Sequence, residues 1–475
     1  MSTSATTPKR IVVLMFENRS FDHLFGAFPG ADGVLAEDGT LKPDIYNLPD
    51  PTSPPSQNNP KQLPIEITPD VPLLHDFNHN FGSGMLTSLF GPNATGVTQG
   101  APTPAPGMLW PEVNSGFYST KAFNVASDGS VINGALALSY YRHGSLQVLH
   151  KMAADFVLCD NWFCDIPGDT LLNRYFMHAA QTGGFIGDDQ GGSLNAPTIF
   201  DRLDAAGLSW KMYAPDAARD GTIVRNQQTD TRFLNSTIQM SPNTRIPITQ
   251  FAADAQAGNL PFYSFLMCWL PAGTYQHDTS MHPTADPRAG ENLLASVYAA
   301  LRNSPSWEET LLVVTFDESG GIYDHVAPPQ AVPPDNEVGW NWDAYRKLEV
   351  NFDFSVLGPR IPALLISPWL RPGIAKGQYQ NTSILKFIED CARLDPLTHR
   401  DGQAPSLATI LDQFGQAEPR ADCPTSYPTY LDMPYANGDL GKTYVAEGGQ
   451  AFPLPSYMES LAELYHIDAK QPMNA

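Results

Sequence analysis

The chain has 475 residues, enough for one large core with insertions or for more than one domain. Asp and Glu number 50 against 28 Lys and Arg, and the resulting charge of -22 excludes the basic surface that non-specific nucleic-acid binding needs. An anionic substrate must therefore be captured by a local site or a metal, and the five cysteines, odd in number and without CxxC spacing, read as buried free thiols.

Met1 to Lys9 is short and polar, and Ile11 to Phe16 is too short for the apolar core of a signal peptide. No stretch has the length needed to cross a bilayer, so the expectation is a soluble, leaderless cytoplasmic protein, with export by a leaderless route left open. Arg10 to Phe16 reads as the first strand. Glu17-Asn18-Arg19-Ser20-Phe21-Asp22-His23 follows at its carboxyl end, where open α/β sheets bind ligands. Glu17 and Asn18 offer oxygens suited to a hard cation, and the same residues also fit a turn before a capped helix. Residues 30 to 130, rich in Pro, Gly, Asn and Ser, read as a loop-rich insertion over the active face. Within it, His75-Asp76-Phe77-Asn78-His79 places two histidines four apart, for metal or phosphate or simply on a polar surface.

Tyr140 to Met152 has helical spacing of apolar residues, and Phe156 to Cys159 reads as a buried strand. Pro167-Gly168-Asp169 then breaks the chain, and Thr170 stands directly before the helical run Leu171 to Met177. A hydroxyl there is either an N-cap or a nucleophile facing the amides and positive dipole end of a helix, a place that also suits phosphate. Helices over Thr198 to Ala206 and Phe251 to Ala257 alternate with strands over Leu208 to Tyr213 and Phe262 to Met267. His277 and His282 come next, before a long helix over Arg288 to Arg302. The strand Leu311 to Phe316 ends in Asp317-Glu318-Ser319-Gly320-Gly321, with His325 soon after. Adjacent carboxylates at the end of a buried strand repel unless a cation or donors compensate, which points to a metal site. Ile361 to Ser367 is a further strand, Thr382 to Leu394 an amphipathic helix, and Ser406 to Phe414 and Ser456 to His466 late helices. The alternation predicts an α/β fold, a doubly wound, mainly parallel sheet with helices on both faces. It would bring the four clusters to one edge, a set suited to metal-assisted phosphoryl or sulfuryl transfer through a covalent intermediate.

ENRSFDHLFG at Glu17 to Gly26, CDNWF and PGDTLLNR around Thr170, HP and RAGE from His282 to Glu291, FDESGGIYDHVAPP from Phe316, and LGPRIPALLISPW from Leu357 carry a resemblance. In these segments the chain resembles the bacterial phospholipase C and acid phosphatase family, whose core is similar to alkaline phosphatase and the sulfatases. The resemblance implies a single phosphoesterase domain over residues 1–475 with the insertion at about 30–130. It implies that Glu17, Asn18, Asp317 and Glu318 bind one divalent metal, with Thr170 as nucleophile and further ligand. His75, His277, His282 and His325 would surround the phosphate. All-oxygen ligation favours Ca²⁺, Mg²⁺ or Mn²⁺ over Zn²⁺. The expected substrate is a phospholipid or small phosphoester, cleaved in phospholipase C fashion through a phosphothreonine, with acid phosphatase or an inactive phospholipid-binding homologue as alternatives. Thr170 cannot be converted to formylglycine, which argues against a sulfatase. One departure stands out: the family often carries Asp-His-Thr-Ser where this chain has Gln380-Asn381-Thr382-Ser383. Nothing in the sequence speaks to oligomeric state.

Overall fold

The computed structural model describes residues 7–50, 53–71, 73, 77–90, 134–187, 194–214, 216–219, 222–225, 238, 241–244, 246–268, 278–335, 340–343, 346–349, 352–433, 435–438, 440 and 444–445. Its centre is an eight-stranded sheet. The strands are β1 (Arg10–Phe16), β2 (Val157–Cys159), β3 (Trp210–Ala214), β4 (Ile246–Pro247), β5 (Tyr263–Met267), β6 (Thr310–Phe316), β7 (Ala363–Ile366) and β8 (Gly373–Ala375). They lie in the order β8-β2-β7-β6-β1-β5-β3-β4. β7 runs antiparallel to both of its neighbours, and every other pairing is parallel. Two antiparallel steps restore the direction, so β2 runs with β1, β5 and β6, and their carboxyl ends share one edge.

Sequence explains the sheet's place in the molecule. Ile11 to Phe16 and Thr310 to Phe316 are buried without alternation, which requires cover on both faces and suits near-continuous β-branched and aliphatic runs. Seven helices matter here: α1 (Phe21–Phe25), α2 (Leu149–Asp155), α3 (Thr170–Ala179), α4 (Ile199–Ala205), α5 (Ile248–Gln256), α6 (Pro287–Arg302) and α7 (Thr382–Ala392). α5 packs on α6 and α3 on α7. Their starts follow the usual chemistry. Thr198 and Asp201 form a capping box for α4, and Asp286 caps α6 with Pro287 at the first helical position.

The doubly wound expectation therefore holds. The helix expected over Tyr140 to Met152 does not. Ser139–Tyr141 is a strand paired with Ile65–Ile67, and α2 begins only at Leu149. Gly144, at φ +81°, turns the chain between them, and the apolar residues that mimicked a helical face are buried in two different elements. The helix expected over Ser456 to His466 lies outside the described residues. All five cysteines are free, four buried and Cys391 partly so. Among the described residues, no helix is long and apolar enough to cross a membrane.

Candidate active site

The carboxyl ends of β1 and β6, adjacent and parallel, carry the first four candidate groups. Asp317 Oδ1 accepts the Asn18 amide at 2.8 Å and the Glu318 amide at 2.7 Å, while Arg19 N donates to the Glu318 carbonyl at 3.0 Å. Glu318 Oε2 accepts the Gly320 amide at 2.6 Å. Asn18 adopts φ 57°, a left-handed conformation that asparagine tolerates better than most residues. Gly320 has φ +64°, and a Cβ there would meet the Asn18 carbonyl oxygen at 2.3 Å. The glycine thus permits close approach between the turns that carry Asn18 and Glu318.

Thr170 reaches this edge from the other side. The N-cap of α3 is Asp169, and Thr170 is the first helical residue, so its hydroxyl is not the cap. It donates instead to Asn18 Oδ1 at 3.0 Å. Asn173, one turn on, holds the loop before it. Its Nδ2 donates to the carbonyls of Ile166, Gly168 and Asp169 at 3.3, 3.1 and 3.2 Å, and its Oδ1 accepts the Ile166 amide at 3.1 Å. Arg174 donates to Glu17 Oε1 at 2.7 Å and to Asp317 Oδ2 at 3.1 Å. Burial raises the pKa of Asp317, opposed by Arg174 and by the two amides on its Oδ1.

Three buried carboxylates, Glu17, Asp317 and Glu318, share this edge. Together with the Asn18 amide oxygen and the Thr170 hydroxyl they form a hard-oxygen donor set whose chemistry fits a divalent cation.

A further residue joins them. His79 Nε2 lies 3.3 Å from Asn18 Nδ2 and 3.5 Å from Glu318 Oε1, and its Nδ1 faces the Phe77 carbonyl at 2.6 Å. A neutral ring donating from Nδ1 presents Nε2 as an acceptor toward the oxygen cluster, the orientation expected of a metal-ligating or phosphate-facing imidazole. The sequence drew attention to the His75–His79 pair but favoured His75, which lies outside the described residues. The second histidine of the pair is the one seen at the site.

The segment after β5 adds His282. The Glu17 amide donates to the Ser280 carbonyl at 2.9 Å, which ties this segment to the end of β1. Asp278 is fully buried and accepts the Ser280 amide at 2.6 Å; burial pushes its carboxyl up to about 7, against the pull of the Ser280 bonds. His282 Nδ1 meets Thr284 Oγ1 at 3.0 Å, which orients the ring. Arg19 is structural: it donates to the carbonyls of Met281 at 2.5 Å and His282 at 3.0 Å. His277 lies outside the described residues.

His325 departs from expectation. Its backbone amide and Nδ1 both lie 2.7 Å from Asp22 Oδ2, and Nε2 lies 3.4 Å from Asp32 Oδ1. Arg360 donates to Asp22 Oδ1 at 3.0 Å and to Asp324 Oδ1 at 2.8 Å. Burial opposes charge on His325, yet Asp22 and Asp32 outweigh it and push the imidazole up to about 9. Both ring nitrogens are thus engaged by carboxylates, Nδ1 by Asp22 and Nε2 by Asp32. Ligand atoms of Asp22, Asp324 and His325 lie within 4.8 Å of one another, so this group too could hold a cation, although Arg360 already pairs with both carboxylates.

The departure at Gln380-Asn381-Thr382-Ser383 also has a physical reading. Asn381 is fully buried and donates to the Phe316 carbonyl at 3.0 Å, so in this chain the position is tied to the end of β6.

Comparisons with known proteins give the family. The family model described as "Phosphoesterase family" matches residues 8–395. Non-specific phospholipase C5 of Arabidopsis thaliana is 30% identical, over 90% of this chain and 77% of that protein. Phospholipase C A of Mycobacterium tuberculosis is 28% identical, over 81% and 72% respectively. A solved structure of an alkaline phosphatase superfamily protein from Vibrio parahaemolyticus has 15% identity and a TM-score of 0.30, over 55% of this chain and 66% of that one. On the family match and on the Arabidopsis relative, the chain belongs to the Phosphoesterase family, hydrolases of phosphoric ester bonds.

Proposed function

We propose that the chain is a metal-dependent phosphodiesterase of the phospholipase C type, acting through a covalent phosphothreonine. The observation that carries the reading is the Thr170 hydroxyl, excluded from capping by Asp169 and bonded at 3.0 Å to Asn18 Oδ1 among three buried carboxylates. Glu17, Asn18, Asp317 and Glu318, with Thr170 itself, would hold one divalent cation, which when bound lowers the pKa of the hydroxyl and offsets charge on the phosphoryl oxygens. Thr170 loses its proton to solvent and its oxygen bonds to phosphorus, while the bond from phosphorus to the leaving alcohol breaks. His282, oriented by Thr284, gives that alcohol a proton. Water then attacks phosphorus, the bond to Thr170 breaks, His282 takes a proton from the water, and Thr170 recovers one from solvent. The preorganised amides at the start of α3 favour negative charge at the reacting centre.

The diester preference rests on charge. A monoester carries up to two negative charges and gains more from cationic groups than a diester does. The two motif arginines support the diester reading, because Arg174 is engaged by Glu17 and Asp317 and Arg19 by backbone carbonyls. The relatives named phospholipase C support a phospholipid substrate. Incubation with phosphatidylcholine and, separately, with p-nitrophenyl phosphate should release diacylglycerol and phosphocholine from the first, with little inorganic phosphate from the second. Rapid phosphate release from the monoester with no diacylglycerol from any phospholipid would replace this reading with acid phosphatase.

A further inference from the structure

The two arms of the site, the Thr170 loop and the end of β6, are held together from behind by three consecutive residues, Gln380, Asn381 and Thr382. On one side they grip the segment leading to Thr170. Tyr379–Gln380 pairs in parallel with Trp162–Phe163. Asp165, fully buried, accepts Thr382 Oγ1 at 2.7 Å and Gln380 Nε2 at 3.0 Å on Oδ1, and the Thr382 amide at 3.0 Å on Oδ2. On the other side Asn381 grips β6. Its Nδ2 donates to the Phe316 carbonyl at 3.0 Å and the Asp317 carbonyl at 3.4 Å. Its Oδ1 accepts Trp162 Nε1 at 3.0 Å and Thr315 Oγ1 at 3.2 Å, so one amide side chain joins both arms.

The hydrogen-bonding capacity of the Asn381 amide is filled, and no other side-chain type offers two donors and a two-fold acceptor on so short a stem. None of the three residues belongs to the donor set around Asn18, and all three are buried. Resting on the reading of Thr170 as nucleophile, we infer that Asn381 and Thr382 are positioning residues that set the separation between the Thr170 hydroxyl and the Asp317–Glu318 carboxylates. A reacting group displaced by about 1 Å costs on the order of a hundredfold in rate, so a brace at this point acts on turnover before it acts on binding.

The test uses Asn381→Asp, which keeps the acceptor and removes the donors, and Thr382→Val, which keeps the shape and removes the hydroxyl, with Thr382→Ser as the conservative control. Hydrogen–deuterium exchange is followed in segments 164–172 and 315–320, and kcat and KM are measured on 4-nitrophenyl phosphorylcholine. Asn381→Asp should raise exchange in both segments by about tenfold and lower kcat by about tenfold, with KM within about twofold. Thr382→Val should do the same more strongly in 164–172, and Thr382→Ser should restore both. Unchanged exchange in both segments would overturn the inference. Faster exchange with unchanged kcat would overturn the positioning role and leave only a stabilising one. A wild-type protein that hydrolyses no phosphoester would overturn the proposed function alone, and the exchange result would still decide whether the brace exists.

Discussion

Two carboxylate clusters lie side by side in this protein, and the same two sequence segments build both. ENRSFD supplies Glu17 and Asn18 to one and Asp22 to the other; DESGGIYDH supplies Asp317 and Glu318 to one and Asp324 and His325 to the other. In the second cluster Asp22, Asp32 and Asp324 meet Arg360, His325 and Lys42, and charge is balanced by the protein itself. In the first, Glu17 and Asp317 meet Arg174, and Glu318 meets His79. Motif density does not separate the two. The kind of partner does: the second cluster closes on itself through Arg360 and His325, whereas the first gathers the Asn18 amide and the Thr170 hydroxyl, which is the ground for proposing catalysis there.

The largest expected effect breaks the first cluster chemically. Thr170→Ala should reduce turnover by at least a thousandfold, as loss of a covalent nucleophile does, while unfolding free energy changes by no more than about 1 kcal/mol because Asp169 remains the cap. Turnover within tenfold of wild type, in a protein with normal urea unfolding, would refute the assignment.

Next comes the brace. Arg360→Met should cost roughly 3–5 kcal/mol in urea unfolding, since Asp324 would lose its buried ion pair and Asp22 would keep only His325. A loss under about 1 kcal/mol would mean the second cluster is not held by internal charge.

Metal removal sharpens the contrast. Mn²⁺ at a hundredfold excess over its Kd should stabilise the protein by about 2.7 kcal/mol, and EDTA should reverse it. Glu318→Gln should abolish most of that difference, whereas His325→Gln should leave it intact. The opposite pattern would move the cation to Asp22 and Asp324.

The smallest effect is in pH. His325 has a folded value of about 9, above its ordinary value near 6.5, so its protonated form is favoured by folding. Its contribution is fully present below pH 6.5 and is lost as pH rises from there through about 9. Wild type should lose about 1–2 kcal/mol more than His325→Gln over that window, the partial exposure of the ring keeping the figure below the full linkage value. Parallel stability curves for the two proteins would contradict the ion pair.

Much of this was legible in the sequence because the strongest signals were local. β1 and β6 announce themselves as unbroken apolar runs, and the carboxylates that end them need no alignment to be noticed. Thr170 was legible as a hydroxyl at a helix start, although its capping reading depended on a one-residue question that only backbone conformation answers. The surroundings of His79 and His325 were not legible, for a shared reason. Which histidine faces the site depends on where a long insertion returns and on which carboxylates lie across from it, and both are tertiary facts. Asn381 stood out only as a departure from the family's pattern, and its bonding was hidden because its four partners come from two segments far from it in sequence.

β1 stands at the centre of the sheet although it is the first strand of the chain. Its partners, β5 and β6, are separated from it by more than half of the chain: Ile11 pairs with Tyr263 and Arg10 with Thr310. During synthesis at about 5–20 residues per second, the segment that will become the innermost strand therefore waits roughly 13–50 s before either neighbour exists. Throughout that wait it is an apolar, β-prone stretch with both edges open, the kind of segment that pairs with other chains. Yield in expression should accordingly depend on chain concentration and on holdase chaperones more steeply than the stability of the finished fold would suggest.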